Sequence, residues 1–418
     1  MKQGVKQRMK QLLPILRPLW RMVPADWRRN QLHRIARFTA PLPDRNPPPP
    51  RSGIAVLGEI GVPSGLGESA RMMVLALRNL GVAVYPIDSA LGGVLTGGTT
   101  AEMPPPQVPI VIHANPHRLG TALLALPRHA VRGRRIIGYF AWELLVAPPA
   151  WSPHLRLVHE IWVPSQFVAE AMKTIMPGDR VLPIRVIPIA LAEAPPVPSR
   201  LGRADFGLPE DAVIVLVSFN LASGFTRKNP LGAVEAFRRA FGKRPDRRLI
   251  LKIGNPQAAP ADLARLREAI ADLPNAVIDD RRLSREHNYA FTAAADIVLS
   301  LHCSEGLGLV MAEAMSLGRP VVATAWSGNM DFMDEHSAAL VPATLVPPDD
   351  PSGEFDVPGA LWADPDLEIA AAQLRRLADD PAARTELGLA GQTMVRARLT
   401  AEPLRQAALD LGLPVGAS

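Results

Sequence analysis

The sequence predicts an α/β protein: two Rossmann-like doubly wound domains facing a central cleft, behind a basic N-terminal extension. Three observations predict it. From Gly53 onward, short apolar β-branched runs alternate with stretches of helical period; the alternation halts at a proline-rich junction near residue 195 and then resumes; and the positive charge is concentrated in the first fifty residues. Alternation of this kind arises from βα units around a parallel sheet covered on both faces.

The extension, residues 1–50, comes first. Residues 1–51 hold 12 Lys and Arg against Asp26 and Asp44, leaving 34 basic and 38 acidic residues in the remainder, although the whole chain carries +6. A mildly acidic body excludes a broad nucleic-acid surface, which needs a basic face on the folded domains. Leu12, Leu13, Ile15, Leu16, Leu19, Trp20, Met22, Val23 and Trp27 are interleaved with Lys10, Arg17, Arg21, Arg28 and Arg29. This pattern suits an anionic membrane surface, where each basic residue contributes about 1 kcal/mol. It equally suits a solvated or body-packed extension. Pro14, Pro18 and Pro24 divide it, and no apolar run of about 18 residues is present to span a bilayer. Charges interrupt every apolar run, unlike a secretory signal. Four prolines from Pro47 to Pro50 end the extension as a stiff spacer.

A first domain is expected over 51–195, with strands at Ile54–Leu57, Val82–Ile87, Ile110–His113, Ile136–Tyr139, Ile161–Val163 and Val186–Ile189. Ala194 to Ser199 holds three prolines in six residues and reads as a linker. A second domain over 200–395 follows, with strands at Val213–Ser218, Leu249–Ile253, Ala276–Ile278, Ile297–Leu301, Val321–Ala323 and Ala339–Val341. The polar, Pro-rich stretch 347–359 reads as a surface loop, helical segments run from about Leu367 to Leu411, and residues 396–418 form a C-terminal helix returning to the first domain. Ligands of doubly wound sheets gather at the carboxyl ends of the strands, so the cleft between two such sheets is the expected site. Cys303 is the single cysteine, which rules out an intrachain disulfide and fits a reducing, cytoplasmic setting.

The densest signal lies at Leu299-Ser300-Leu301-His302-Cys303-Ser304-Glu305-Gly306-Leu307-Gly308-Leu309-Val310-Met311-Ala312-Glu313-Ala314-Met315. Strand, glycine turn and helix succeed one another. Gly306 and Gly308 let the backbone approach a ligand, and N–H groups at the helix start bind anionic oxygen. Glu305 on the turn and Glu313 two helical turns later can face one elongated ligand, accepting hydrogen bonds from vicinal hydroxyls such as those of sugars and ribose. Taken alone, the pair also reads as a helix-dipole partner and a solvated helix residue.

The same run, followed by Gly318-Arg319-Pro320-Val321-Val322-Ala323-Thr324, resembles the glutamate, seven residues, glutamate motif of family 4 glycosyltransferases, which have the two-domain GT-B fold. Ser218-Phe219-Asn220 with Arg227-Lys228-Asn229-Pro230 resembles that family's donor-diphosphate motif, and Trp326-Ser327-Gly328-Asn329 resembles the loop closing the donor pocket. The resemblance implies a retaining transfer of a hexose from a nucleotide-diphosphate sugar. Glu313 would hold the ribose, Glu305 the sugar hydroxyls, and Gly306, Gly308 and Leu309 would offer backbone amides, with Ser327 and Asn329 beside the donor. Arg227 and Lys228 would neutralise the diphosphate, a role their chemistry supports, since fixed cations stabilise a leaving group that gains negative charge. No metal or other cofactor is implied. The acceptor would be a lipid-linked or polysaccharide glycan at the cytoplasmic membrane face.

The first domain contributes Gly61-Val62-Pro63-Ser64-Gly65-Leu66-Gly67-Glu68-Ser69-Ala70-Arg71, in which Gly65, Gly67 and Glu68 resemble the family's glycine-rich acceptor loop. The same glycines, with Ala70 and with Asp88 at the next strand end, also fit the dinucleotide fingerprint of an NAD-dependent oxidoreductase. The loop 59–64 between strand and glycines, and the transferase motifs downstream, weigh against that alternative. Tyr139-Phe140-Ala141-Trp142-Glu143, Trp151 and Trp162-Val163-Pro164-Ser165 resemble a subgroup of the family. Glu143 is expected to reach the cleft, and Trp142 and Trp151 are either sugar platforms or core. His113 at a strand end is the candidate assisting histidine, followed by His117 and His302. A non-catalytic carbohydrate- or nucleotide-binding relative in a polysaccharide assembly is the alternative from another functional class.

Overall fold

The computed structural model describes residues 35–416 apart from 37, 52, 63, 90–102 and 179. The membrane-binding expectation for the extension falls mainly on residues outside that set. The described end of the extension lies against the first sheet's half: the Asp44 carboxylate accepts from the Gly133 amide at 2.7 Å, and its carbonyl meets His159 Nε2 at 2.7 Å.

Among the described residues the first half forms six parallel strands. These are β1 (Ile54–Gly58), β2 (Val84–Asp88), β3 (Ile110–His113), β4 (Ile136–Tyr139), β5 (Glu160–Val163) and β6 (Ile184–Val186), ordered β2-β1-β3-β4-β5-β6. Helices α1 (Gly65–Asn79), α2 (Leu119–Ala125) and α3 (Gln166–Lys173) connect them. The second half forms β7 (Val213–Asn220), β8 (Arg247–Gly254), β9 (Ala276–Asp279), β10 (Ile297–Ser300), β11 (Val321–Thr324) and β12 (Ala339–Val341), ordered β12-β11-β10-β7-β8-β9. Both sheets are doubly wound, with the buried, β-branched strands that a parallel sheet covered on both faces requires.

Two departures from the sequence expectation have physical causes. The sixth strand is Ile184–Val186, overlapping the expected Val186–Ile189 in one residue, because it is an edge strand whose sole neighbour β5 ends at Val163, before the chain turns into α3. The stretch 347–359 is a largely exposed loop, as expected, but Phe355 and Val357 within it turn inward. It is the tip of an antiparallel hairpin of β13 (Ala343–Val346) and β14 (Trp362–Pro365). Phe355, Val357, Ala360 and Trp362 are buried in the same apolar cluster as Ile110, Trp142 and Leu155 of the first half. The tip thus pins one half to the other. Finally, α10 (Leu367–Asp379), α11 (Pro381–Arg398) and α12 (Glu402–Asp410) close the chain. Leu404, Ala407, Ala408 and Leu411 return to cluster with Ile54, Val56 and Leu77 of the first half, and Arg185 Nη1 pairs with Asp410 at 2.5 Å.

Candidate active site

The strand orders decide where the site sits. In the second sheet the chain runs from β7 outward through β8 and β9, then returns to lay β10, β11 and β12 on the other side of β7. The crevice beyond the carboxyl ends of β7 and β10 is therefore the topological switch point, the usual ligand position of open α/β sheets. The loop after β7 leads into α4 (Phe225–Lys228), which carries Arg227 and Lys228; the loop after β10 carries Glu305. The first sheet has its own switch between β1 and β3. Its loop after β1 leads into α1 with Gly65, Gly67 and Glu68, and the turn after β4 supplies Glu143.

Glu305 is 7% exposed and ion-paired to both cations, with Arg227 Nη1 at 3.2 Å from Oε2 and Lys228 Nζ on Oε1. Burial acts to raise its pKa, but Lys228 and Arg227 outweigh it and hold the carboxyl down at about 2. Arg227 lies beneath the cluster, donating to the carbonyls of Ser304 at 2.8 Å and Ser223 at 2.7 Å, and approaching Glu143 at 3.6 Å. Its fixed partners are protein groups, so Lys228 is the more accessible cation of the two. Burial lowers the Lys228 pKa, with Glu305 opposing. Burial raises that of Glu143, which Arg227 opposes. Residues 77 and more positions apart thus form one buried charge cluster spanning both halves.

The glycine turn is built for close approach. Gly308 has φ of +93° and caps helix α7, the segment Leu309–Ser316, without a side-chain cap. A Cβ there would stand 2.4 Å from Met311 Cε. The Gly306 carbonyl accepts from Ser165 Oγ of the first half at 2.5 Å. Ser327 and Asn329 support the turn from below. Ser327 Oγ accepts from the Glu305 amide at 2.8 Å, and Asn329 Nδ2 donates to the Thr324 carbonyl at 3.0 Å. Both are buried.

Glu313 has separate partners from Glu305. It is half-buried on α7, its Oε1 accepting from the Tyr289 hydroxyl at 3.4 Å. Burial, then the charge of Glu68, raise its pKa to about 8, with Arg285 and Tyr289 opposing. Glu68 sits one turn into α1, whose N-cap Ser64 accepts from the Gly67 amide at 3.0 Å. Gly67 is required by proximity: a Cβ would meet the Glu59 carbonyl at 2.5 Å. Asp88 accepts from the Gly61 amide at 3.2 Å and so holds the loop after β1.

The histidines are placed in cores. His113 is 2% exposed, stacked on Tyr139 with centroids 4.4 Å apart, its Nε2 at 3.3 Å from Met73 Sδ; burial lowers its pKa to about 3, so it is neutral. His302 is fully buried, with Nε2 toward Asn329 Oδ1 at 3.1 Å and the Trp326 carbonyl at 3.2 Å. His117 stacks on Trp151 at 5.3 Å. The two tryptophans are core residues and not sugar platforms: Trp142 packs edge-on to Trp151 at 4.8 Å, stacks on Phe355 at 5.5 Å, and donates from Nε1 to the Val146 carbonyl. Sequence reasoning missed Arg285, Tyr289 and Phe355. Arg285 and Tyr289 are spaced i, i+4 on a polar helix with no local signal of a site, and Phe355 lay in a stretch read as solvated. Among the described residues, no group of three or more His, Cys, Asp or Glu is placed to hold a metal ion, and no helix is long and apolar enough to cross a membrane.

Comparison with known proteins bears on the fold that positions these residues. Residues 214–356 match the family model described as glycosyl transferases group 1. The chain is similar to the D-inositol 3-phosphate glycosyltransferase of Kineococcus radiotolerans, 31% identical over 213 residues, which cover 48% of this chain and 44% of that protein. It is also 36% identical over 148 residues to the enzyme of that name from Mycolicibacterium smegmatis, covering 33% and 31% of the two chains. The matches thus span less than half the length of these curated relatives. Among solved structures, sucrose-phosphate synthase of Thermosynechococcus elongatus superposes with a TM-score of 0.62 at 20% identity, covering 86% of this chain and 98% of that one. Anabaena HepE in complex with UDP and glucose superposes with a TM-score of 0.60 at 15% identity, covering 87% and 100%. These likenesses establish the fold. The segment 214–356, which holds Arg227, Lys228, Glu305 and Glu313, thus matches the glycosyl transferases group 1 model and lies within a GT-B fold.

Proposed function

We propose that the protein is a retaining glycosyltransferase that moves a hexose from a nucleotide-diphosphate sugar to a glycan acceptor, lipid-linked or polysaccharide, in the assembly of a cell-surface polysaccharide. One observation carries the reading: Glu305, Arg227 and Lys228 form a buried charge cluster at the switch point of the second sheet, with Glu313 two helical turns beyond. Lys228 meets the diphosphate, and Arg227 beneath it fixes Glu305 and adds a second positive charge. The N–H groups opening α7 face the same crevice. As the glycosidic bond breaks, the departing diphosphate gains charge, and cations already held in place stabilise it without reorganising. In a front-face transfer that phosphate takes the acceptor's proton, leaving Glu305 to bind sugar hydroxyls. The curated relatives named for transfer to D-inositol 3-phosphate support the reaction class and leave this chain's acceptor to experiment.

Nucleoside-diphosphate release from a panel of UDP-, GDP- and ADP-sugars tests the reading, with Glu305→Gln expected to lower turnover roughly a hundredfold or more. Binding of a donor with no turnover on any acceptor would instead assign a non-catalytic binding protein. Transfer is proposed to need no metal, so EDTA should leave release unchanged, and proton NMR of the first product should show the donor's anomeric configuration. Residues 1–50 are proposed to hold the protein on an anionic membrane face. Equal sedimentation with phosphatidylglycerol vesicles, with and without those residues, would remove that proposal.

A further inference from the structure

A continuous polar chain crosses the cleft away from the Glu305 cluster. It starts in the loop after β1, where Arg71 Nη1 donates to the carbonyls of Ile60 at 2.6 Å and Val62 at 3.1 Å. Arg71 Nη2 pairs with Glu68 Oε2 at 2.7 Å, and the other oxygen of Glu68 pairs with Arg285 Nη2, also at 2.7 Å. Arg285 belongs to the second half, on the helix Arg285–Ala293, and its Nε donates to the Tyr289 hydroxyl at 2.7 Å. That hydroxyl reaches Glu313 at 3.4 Å. The loop of one half is thereby connected, through the four side chains of Arg71, Glu68, Arg285 and Tyr289, to the glutamate proposed to hold the donor's ribose.

We propose that Arg285 and Tyr289 are positioning residues that couple Glu68 in the first half to Glu313 in the second, so that donor engagement and the seating of the glycine loop depend on one another. The inference rests on the donor-site reading above. Its geometry has a direct chemical consequence. A planar guanidinium can address Glu68 with one nitrogen and Tyr289 with another, whereas a lysine ammonium on a flexible stem cannot hold both in that geometry. Arg285 is 39% exposed in its side chain while Glu68 is 14% exposed, so the ion pair alone is partly screened by solvent; the connection to buried Tyr289 and half-buried Glu313 is what gives it leverage. A carboxylate accepts from both hydroxyls of a ribose diol, and a protonated carboxyl does so less well. The charged and titratable groups facing Glu313 are Glu68 of α1 and Arg285 and Tyr289 of the helix between β9 and β10. Glu68 favours the protonated form of Glu313, and Arg285 favours the ionised form.

Two measurements test the coupling. Calorimetric titration with UDP and with GDP from pH 6 to pH 9.5 should show affinity rising with pH through the titration of Glu313. Glu68→Gln should move that midpoint down, and Arg285→Ala should move it up and weaken binding at least threefold at pH 7.5. Tyr289→Phe should weaken binding at pH 7.5 as well, and Arg285→Lys, which keeps the charge but loses the fork, should weaken binding like the alanine variant with a smaller upward shift of the midpoint. Opposite shifts in the first two variants are not produced by general loosening of the fold. Equal or absent shifts overturn the proposal. The second measurement needs no ligand: urea unfolding midpoints at pH 9 for Glu68→Gln, Glu313→Gln and the double variant should be non-additive, and strict additivity overturns the coupling. Should the wild type bind neither nucleotide, the donor-site reading fails and the unfolding cycle still decides the coupling.

Discussion

Two glutamates eight positions apart are driven in opposite directions by their neighbours. Glu305 is buried but faces Lys228 and Arg227, whose charges outweigh burial and hold it at about 2; Glu313 is pushed up to about 8 by burial first and by Glu68 across the cleft second. The consequences for stability have opposite signs. A carboxyl depressed on folding stabilises the fold above its ordinary value near 4.5, and that contribution disappears as pH falls toward 2. Between the ordinary value and about 2, Glu305 contributes on the order of 3 kcal/mol. The wild type should therefore exceed Glu305→Gln in urea midpoint at pH 6 by a margin that narrows at pH 3.5. Glu313 is the reverse case: its contribution is complete below about 4.5 and is lost as pH rises through about 8. Glu313→Gln should thus gain on the wild type between pH 6 and pH 9. A margin for either variant that is flat with pH would contradict the electrostatic assignment. Glu305 and Glu313 were legible in the sequence because both lie in one short motif. The origin of their difference was not, since Glu68 is 245 positions from Glu313 in the chain.

At the scale of elements, the hairpin β13–β14 departs most from expectation. Its tip is polar and carries prolines, which local reading assigns to solvent, yet Phe355 is 2% exposed against Trp142 and lies 5.6 Å from the Arg227 guanidinium carbon. One aromatic ring here does three things: it fills the first half's cluster, covers the buried cation, and ties the halves together. Phe355→Ala should cost about 3 kcal/mol or more by urea unfolding, and Phe355→Leu distinctly less, as expected when an apolar volume is removed from a packed core. A cost below about 1 kcal/mol for the alanine variant would mean that the tip is not packed there in solution. The strands, by contrast, were legible almost to the residue. Val, Ile and Leu runs bounded by Gly, Pro and Asp announce buried strands, and most boundaries moved by only a residue or two, as in β8 at Arg247–Gly254, while the edge strand β6 moved most.

For the whole molecule, four separate ties join the halves: the charge cluster at Glu305, the Glu68–Arg285 pair, the hairpin tip, and the return of α12. Leu404 and Leu411 on α12 are buried against strand β1 and helix α1, each contributing about 1.5–3 kcal/mol by removing an apolar side chain from water. Leu404→Asp would place an unpaired charge in that cluster and should destabilise the first half although it lies at the far end of the chain. Protease digestion should then cut within residues 51–195 before 214–356; the reverse order would show that α12 does not support the first half. By itself the sequence determined two βα series, the parallel sheets they form, the cleft between them and the residues of the donor motif. Those features follow from local periodicity, from turn chemistry and from motifs contained in short stretches. The tertiary structure decided which histidines and tryptophans are core, that Arg227 lies beneath Lys228, that Phe355 crosses between the halves, and that Glu68 faces Glu313 through Arg285. These are contacts between residues far apart in the chain, set by strand order and by the docking of the halves, and no local pattern of residue types encodes them.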